Sequence, residues 1–155
     1  YLLFEITVPY YAANQIHVPY NQTATASSTG GSLADGTYSY TVTALDYAGE
    51  TEATAPVSAV VTNSTPTTAT GSVLISWQAV PGATSYRVYG RGPGVGALIN
   101  ILNPTGDPIT WTDTGSNTPG AAPPGANSTG LSLNSVVGKA QATSGAAAAT
   151  FDISF

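Results

Sequence analysis

The fold class is decided by the stretch Ser72–Gly90, which reads SVLISWQAVPGATSYRVYG. Apolar residues recur at every second position up to Trp77, and after the Pro81-Gly82 pair the alternation resumes with Tyr86 and Val88. Alternation with period 2 is typical of a strand with one buried face, and Pro-Gly is a turn signal. The stretch therefore predicts two strands, joined by a turn, whose rings enter one core.

The same alternation recurs elsewhere, whereas no segment shows the i, i+3, i+4, i+7 spacing of a helix. Residues 33–45, LADGTYSYTVTAL, predict a strand, and residues 51–62, TEATAPVSAVVT, predict a second strand that bends at Pro56 and completes a hairpin. We therefore expect an all-β sandwich. Its predicted core consists of Tyr38, Tyr40, Val42, Val73, Ile75, Trp77, Tyr86 and Val88.

We divide the chain into four parts. Residues 1–32 are an N-terminal arm, with short strands predicted at Leu2–Val8 and Gln15–Tyr20 and a Ser/Thr/Gly-rich connector over Asn21–Ser32. Residues 33–115 are the sandwich, and ALINIL and ITWTD are two further strands within it. Residues 116–130, SNTPGAAPPGANSTG, are too rich in Pro, Gly and Ala to bury surface and predict a linker.

Residues 131–155 are a C-terminal arm with two weaker strand candidates. Both arms carry apolar side chains that need a surface to pack on, and we assign them to assembly: Leu3, Phe4, Ile6, Val8, Phe151, Ile153 and Phe155. The chain contains no Met and begins at Tyr1, which predicts processing or a longer precursor.

Composition excludes several classes of function. Charged residues are 7% of the 155 residues, against about 25% in ordinary soluble domains, and the net charge is −5. With three basic residues the chain cannot neutralise a run of phosphates, so we expect no nucleic-acid partner. No apolar run is long enough to span a bilayer, so we expect no membrane partner. The chain has no Cys, which excludes disulfides and thiolate metal sites, and we expect no cofactor.

Catalytic groups are scarce. His17 is the one histidine, and its place on a Pro-flanked segment favours a structural or surface role. Asp107 and Asp113 stand at the two ends of ITWTD, where a pair of glycosidase carboxylates is conceivable, but Asp side chains that cap turns are the preferred interpretation. We therefore predict a protein that is not an enzyme.

Two further motifs resemble ligand sites. Asp46, Glu50 and Glu52 surround one turn and offer oxygen ligands for a hard cation, but a solvated hairpin tip is preferred. The run GRGPGVG, residues 90–96, resembles a phosphate-binding loop, yet no helix follows it to provide an anion site. We interpret it as a strand connector.

Exposed aromatic residues are the remaining candidates for binding. An interface is preferred over sugar stacking for a platform formed by Tyr10, Tyr11, Tyr20, Tyr47 and Tyr89. Glycosylation acceptors of the form N-x-Ser/Thr begin at Asn21, Asn63 and Asn127. The sequence leaves their use open.

The quoted stretch resembles strands B and C of a fibronectin type III module, a member of the Ig-like sandwiches: a core Trp, a turn, then Tyr-x-Val. LADGTYSYTVTAL resembles its strand F, with Leu33 and Tyr40 in the positions of the tyrosine corner, and TWTDTG resembles its strand E. The resemblance implies a permuted strand order, because the F and G segments precede B, C and E. The same runs, together with TPGAAPP, resemble modules in virion proteins of tailed bacteriophages.

The resemblance implies a structural virion protein, either a capsid decoration or a tail-associated component, whose partners are copies of itself and other virion proteins. Sheet edges without charge favour the same interpretation, because an open edge pairs with another chain. Two alternatives stay open. One is a subunit of an extracellular filament or adhesin joined by strand exchange; the other is a carbohydrate-binding module of a secreted enzyme, whose partner is a surface glycan.

Overall fold

The computed structural model describes residues 15–65, 68–92, 96–102 and 104–130. Within these residues the protein is all-β, with no helix, and it forms a β-sandwich-like fold of two sheets. Alternating small or β-branched residues and Pro or Gly at the turns account for this class. The strands are β1 Tyr20–Ser27, β2 Gly36–Leu45, β3 Val57–Val61, β4 Ser72–Gln78, β5 Ser85–Gly90, β6 Ala97–Leu102 and β7 Ile109–Asp113.

Both sheets are antiparallel. One has three strands in the order β1-β4-β7, and the other has four in the order β3-β2-β5-β6. The chain passes from one sheet to the other between β4 and β5, where Gly82 takes a φ of 86° in the predicted turn. Strand β1 lies beside β3, so β6 and β7 form the margins on the opposite side.

The core lies between the two sheets. Val42, Val73, Ile75, Trp77 and Val88 are 0% exposed. Of the other predicted core residues, Tyr40 and Tyr86 are at most 2% exposed, whereas Tyr38 is partly buried at the margin of the core. The rings of Trp77 and Tyr86 meet at a centroid distance of 5.6 Å and a tilt of 55°, a geometry that aromatic pairs favour.

The predicted connector over Asn21–Ser32 is wrong for most of its length, because Tyr20–Ser27 is strand β1 and pairs with β4. Its Ala24 and Ala26 face inward and are partly buried, while the alternate Thr residues are exposed. Residues 15–19, predicted as a strand, form none. The sheets therefore extend into the predicted N-terminal arm and do not begin at residue 33.

The predicted linker over residues 116–130 is also wrong as a free tether. Ala97 N–H donates to Ala121 O and Gly120 N–H donates to Ala97 O, both at 2.8 Å. Farther along, Ser128 N–H donates to Glu50 O at 2.9 Å, and Thr129 is 3% exposed. Although the segment has no regular structure, these hydrogen bonds attach it to the four-stranded sheet, and we call it the strap.

Of the two tyrosines in β2, the one that bonds to the backbone upstream of the strand is not the one expected from the sequence. Tyr38 OH donates to the carbonyl of Ala34, four residues upstream, at 3.1 Å. Tyr40, which was expected to make this bond, instead donates from its hydroxyl to Asp113 Oδ2 at 2.9 Å. Tyr38 and Tyr40 are two residues apart and point to the same face of β2, but Tyr40 lies one residue pair farther along the strand, where its hydroxyl meets Asp113. The predicted arm residues Leu3, Phe4, Ile6, Val8, Phe151, Ile153 and Phe155 lie outside the described residues.

Candidate functional site

The candidate catalytic residues do not come together. His17 is exposed beside the strap, and Asp107 is exposed before β7, where its Oδ1 accepts Ala79 N–H at 3.1 Å. Asp113, at the other end of β7, is 0% exposed. A pair of carboxylates in a retaining or inverting glycosidase must face one sugar ring, and two groups at opposite ends of a strand do not.

Asp113 forms a bidentate ion pair with Arg91 inside the sandwich. Arg91 Nε and Nη2 each donate to one carboxylate oxygen at 2.7 Å, and Gly115 N–H and Tyr40 OH also donate to the carboxylate at 2.9 Å. Burial alone would raise the pKa of Asp113, but the hydrogen bonds from Arg91, Gly115 and Tyr40 outweigh it and lower that pKa. Burial and the Asp113 charge raise the pKa of Tyr40, which remains protonated and serves as a donor.

The backbone of Arg91 explains how its side chain reaches Asp113. Arg91 follows β5 with a φ of 59°, in the left-handed region that residues with a Cβ seldom adopt. Sequence reasoning placed Arg91 in a flexible connector and did not pair it with Asp113. No local sequence pattern indicates this pair, because it depends on the left-handed backbone at Arg91.

Glu50 forms a second ion pair on the outer face of the four-stranded sheet. Its carboxylate accepts Arg87 Nη1 at 2.5 Å, Thr43 Oγ1 at 2.6 Å and a short hydrogen bond from the hydroxyl of Tyr89. Burial, followed by the bond to Glu50, raises the pKa of Tyr89. Tyr89 is 3% exposed, so its predicted place in an exposed aromatic platform is wrong.

Of the other two predicted cation ligands, Asp46 binds backbone amides. Asp46 Oδ1 accepts Ala48 and Gly49 N–H, and Asp46 Oδ2 accepts Gly130 N–H of the strap, each at 2.8 Å. Burial would raise the pKa of Asp46, but these backbone donors lower it. Glu52 is exposed. Among the described residues no group of three His, Cys, Asp or Glu side chains is placed to hold a metal ion.

The two ends of the described chain meet at one pole of the sandwich. Asn127 Nδ2 donates to Ile16 O at 3.0 Å, and Gln15 Nε2 donates to Asn127 O at 2.7 Å. Ile16 N–H donates to Thr129 Oγ1 at 3.1 Å. We call this set of bonds the clasp. Because of it, the chain enters and leaves the sandwich side by side.

The glycosylation acceptors are unequal in access. Asn127 is held in the clasp, and Asn63 is 6% exposed with its amide nitrogen donating to Leu33 O and Asp35 Oδ1. Asn21 is exposed at the bulged start of β1. Tyr20 and Tyr47 are 48% and 98% exposed, whereas Tyr10 and Tyr11 lie outside the described residues.

A groove of about 540 Å³ lies at the opposite pole. Its walls are small and uncharged: Thr29, Gly30, Gly31, Ser64, Thr65, Thr68 and Thr70. It offers hydroxyl and backbone groups but neither a titratable side chain nor an aromatic platform. The arrangement gives no basis for acid-base chemistry there.

The margins of both sheets are nearly free of charged residues. Strands β1 and β7 are the margins of one sheet, and β3 and β6 of the other. These four strands contain one charged residue, Asp113, and it is buried. Natural sheets usually protect open margins with charge, Pro, bulges or a covering segment.

The two sides of the sandwich differ in protection. On the β1/β3 side, β1 has a register shift between Tyr20 and Thr23, and Gln22 Nε2 reaches across to Ala55 O at 2.9 Å. On the β6/β7 side, the strap bonds to Ala97 at the start of β6, and Asn117 Nδ2 donates to Leu98 O at 3.0 Å. Along the rest of β6 and along β7 no described segment pairs with the margin.

Comparison with known proteins finds no family model and no curated protein that matches this chain. The described residues include no helix of the length and apolar character needed to cross a membrane.

Proposed function

We propose that this chain is a non-enzymatic structural subunit that assembles with copies of itself through strand margins and terminal arms. The observation that carries the proposal is the absence of an exposed charged side chain on β1, β3, β6 and β7. An uncharged margin offers backbone donors and acceptors to an incoming strand, and main-chain pairing supplies affinity without a specific pocket. The apolar arms are the segments that would pair.

We further propose that the sandwich is a fibronectin-like module with permuted strand order. In Ig-like sandwiches strands A, B and E are neighbours in one sheet and C, F and G in the other. With β1 as A, β4 as B and β7 as E, the three-stranded sheet has those neighbours; with β3 as G, β2 as F and β5 as C, so does the four-stranded sheet. Strand β6 would then be the additional strand beside C.

The proposed setting is the virion of a tailed bacteriophage, as a capsid decoration or tail-associated component. Low charge, no thiols and a core closed by aromatic rings suit a protein that must persist outside cells. The proposal for the setting rests on the resemblance of the sequence runs, and its partners would be other copies and other virion proteins.

The test measures the mass of the full chain in solution by light scattering as a function of concentration, and images the particles by electron microscopy. Two shortened chains, lacking residues 1–12 or residues 146–155, serve as comparisons, and both retain the clasp and the strap. We expect the full chain to form ordered oligomers and at least one shortened chain to stay monomeric with an unchanged thermal unfolding midpoint. A full chain that remains monomeric at all concentrations would contradict the proposal.

A further inference from the structure

The β6/β7 side contains a gap of one strand. Three strands face four, and β1 lies beside β3 at the opposite margin, so the three-stranded sheet stops at β7 while β6 continues the other sheet. Ile99 and Ile101 of β6 pair with the inward-facing Val88 and Tyr86, yet both isoleucines are only partly buried. Trp111, inward-facing on β7, is partly buried as well.

A strand added beside β7 would fill this gap. It would continue the antiparallel sheet through the backbone groups of β7, with which no described segment other than β4 pairs, and its inward side chains would cover Trp111, Ile99 and Ile101. Its outward side chains would stand beside Thr110 and Thr112, which are exposed. The gap therefore selects a short strand with apolar residues at alternate positions and polar residues between them.

Resting on the proposed function, we infer that the occupant of this gap is residues 150–155 of a neighbouring copy. The segment reads TFDISF, with Phe151, Ile153 and Phe155 on one face and Asp152 and Ser154 on the other. The apolar face fits the exposed parts of Trp111 and the two isoleucines. The polar face continues the hydroxyl-bearing surface formed by Thr110 and Thr112.

The length of the connecting segment and the pattern of apolar residues favour this arm over the N-terminal one. The described chain ends at Gly130 in the strap, and 19 residues, 131–149, separate it from TFDISF, enough to reach a neighbouring subunit. The N-terminal candidate, Leu2–Val8, is joined to Gln15 by six residues that include Pro9, and it carries Leu3 on its second face. That face would expose Leu3 on the outer surface.

Introduced cysteines test the inference in the full chain, which has no native thiol to compete. A chain carrying Thr112→Cys is mixed with a chain carrying Ser154→Cys, assembled and oxidised, and the cross-linked peptides are identified by mass spectrometry. The matched control is Thr25→Cys, because Thr25 and Thr112 are exposed and flank the same residue, Leu74, at opposite margins. A second control replaces Ser154→Cys by Ile153→Cys, whose side chain would point to the other face.

We expect a disulfide between positions 112 and 154 of different chains, and little or none with either control. Equal cross-linking at Thr25, or no cross-link at Thr112 in particles that still assemble, would overturn the inference and leave the proposed function intact. The same holds if a chain that carries Thr7→Cys in the N-terminal arm, used in place of Ser154→Cys, forms the cross-link to Thr112→Cys. In a double variant, Thr112→Cys with Ser154→Cys, a bridge within a single monomeric chain would keep the margin assignment but contradict assembly between copies.

A charge placed in the gap provides an independent measurement. Ile101→Lys puts an ammonium where the incoming Phe side chains would pack, whereas Val60→Lys puts the same charge on the opposite side, at β3, where Val60 is already 64% exposed. We expect Ile101→Lys to abolish oligomers at concentrations where Val60→Lys retains them. Oligomers of unchanged size in a folded Ile101→Lys chain would contradict the inference.

Discussion

The fold removes the carboxylates of both Asp113 and Glu50 from water, but the two groups lie on opposite faces of the four-stranded sheet. Asp113 lies between the sheets, is 0% exposed and holds Arg91 through two parallel hydrogen bonds. Glu50 lies outside, is 9% exposed and shares its oxygens among three side chains, with the strap nearby. An inner charge needs a fixed partner to be tolerated, whereas an outer one still has partial access to water.

The difference is also one of connectivity. Asp113 links β7 to Tyr40 of β2 and to Arg91 after β5, so it joins the two sheets. Glu50 joins residues of the four-stranded sheet and, through its backbone, the strap. Loss of the Asp113 side chain should therefore lower the stability of the whole sandwich. Loss of the Glu50 side chain should mainly weaken the contacts on the outer face of the four-stranded sheet.

The largest effect is expected for Asp113→Ala. Removal of this carboxylate leaves the Arg91 guanidinium and the Tyr40 hydroxyl without their partner, and breaking a buried pair in this way costs about 3–5 kcal/mol. Chemical denaturation measures the change in the free energy of unfolding. Asp107→Ala, at an exposed residue just before the same strand, is the matched control, and we expect it to cost about 1 kcal/mol or less. An equal decrease in the free energy of unfolding in the two variants would contradict the conclusion that Asp113 holds the two sheets together from inside the sandwich.

A smaller loss is expected for Glu50→Ala. The Arg87 side chain is 37% exposed, so solvent screens this pair, but Thr43 and Tyr89 also lose an acceptor. We expect the free energy of unfolding to fall by about 1–2 kcal/mol. Glu52→Ala, two residues away and exposed, should change it by less than about 0.5 kcal/mol. If Glu50→Ala lowered the free energy of unfolding as much as Asp113→Ala, the buried inner carboxylate would be no more important for stability than the outer one.

Lowering the pH should remove the contribution of the Asp113–Arg91 pair to stability. Folding lowers the pKa of Asp113, so the folded state binds fewer protons there than the unfolded state does. Its contribution is present above the ordinary pKa of Asp and is lost as pH falls through the lowered value, so the free energy of unfolding should decline below about pH 4. Asp113→Asn should reduce that slope, and the part that remains should include Asp46, whose pKa is also lowered. Equal slopes in wild type and Asp113→Asn would contradict the lowered pKa.

Sequence reasoning identified strands where side chains differ strongly in polarity, as in the alternating Tyr and Thr residues of β2 and around Trp77 in β4. It missed β1 because TATAS contains only small side chains, whose inward and outward positions look alike in sequence. The Arg91–Asp113 pair was out of reach, because it depends on a left-handed residue after β5 that no local pattern predicts.

The strap shows a related limit. Its composition indicates a linker, and few of its side chains are fully buried, Thr129 being an exception. What attaches it is a few hydrogen bonds with groups far away in sequence: the side-chain amides of Asn117 and Asn127 donate, and the hydroxyls of Ser128 and Thr129 accept backbone N–H groups. Pro residues lower the conformational entropy that is lost when the segment becomes ordered, so a Pro-rich segment can be held by few contacts.

The smallest effect is expected for Ser128→Ala, which tests how far the outer carboxylate depends on the strap. Ser128 Oγ accepts Glu50 N–H at 3.0 Å and also lies 3.1 Å from Glu50 O, to which its hydroxyl donates. The side chain is exposed to solvent on its other side, so the global free energy of unfolding should fall by only about 0.5–1 kcal/mol. Because local opening is governed by the contacts of the segment itself, hydrogen exchange at the amides of Ser128 and Gly130 should accelerate more than exchange in β2. Ser116→Ala, whose hydroxyl contacts only Thr114 and Asn117 nearby, is the control. If exchange in β2 rose as much as exchange in the strap, the strap would unfold together with the sandwich as one cooperative unit. The contacts of Glu50 would then be coupled to global unfolding as closely as those of Asp113.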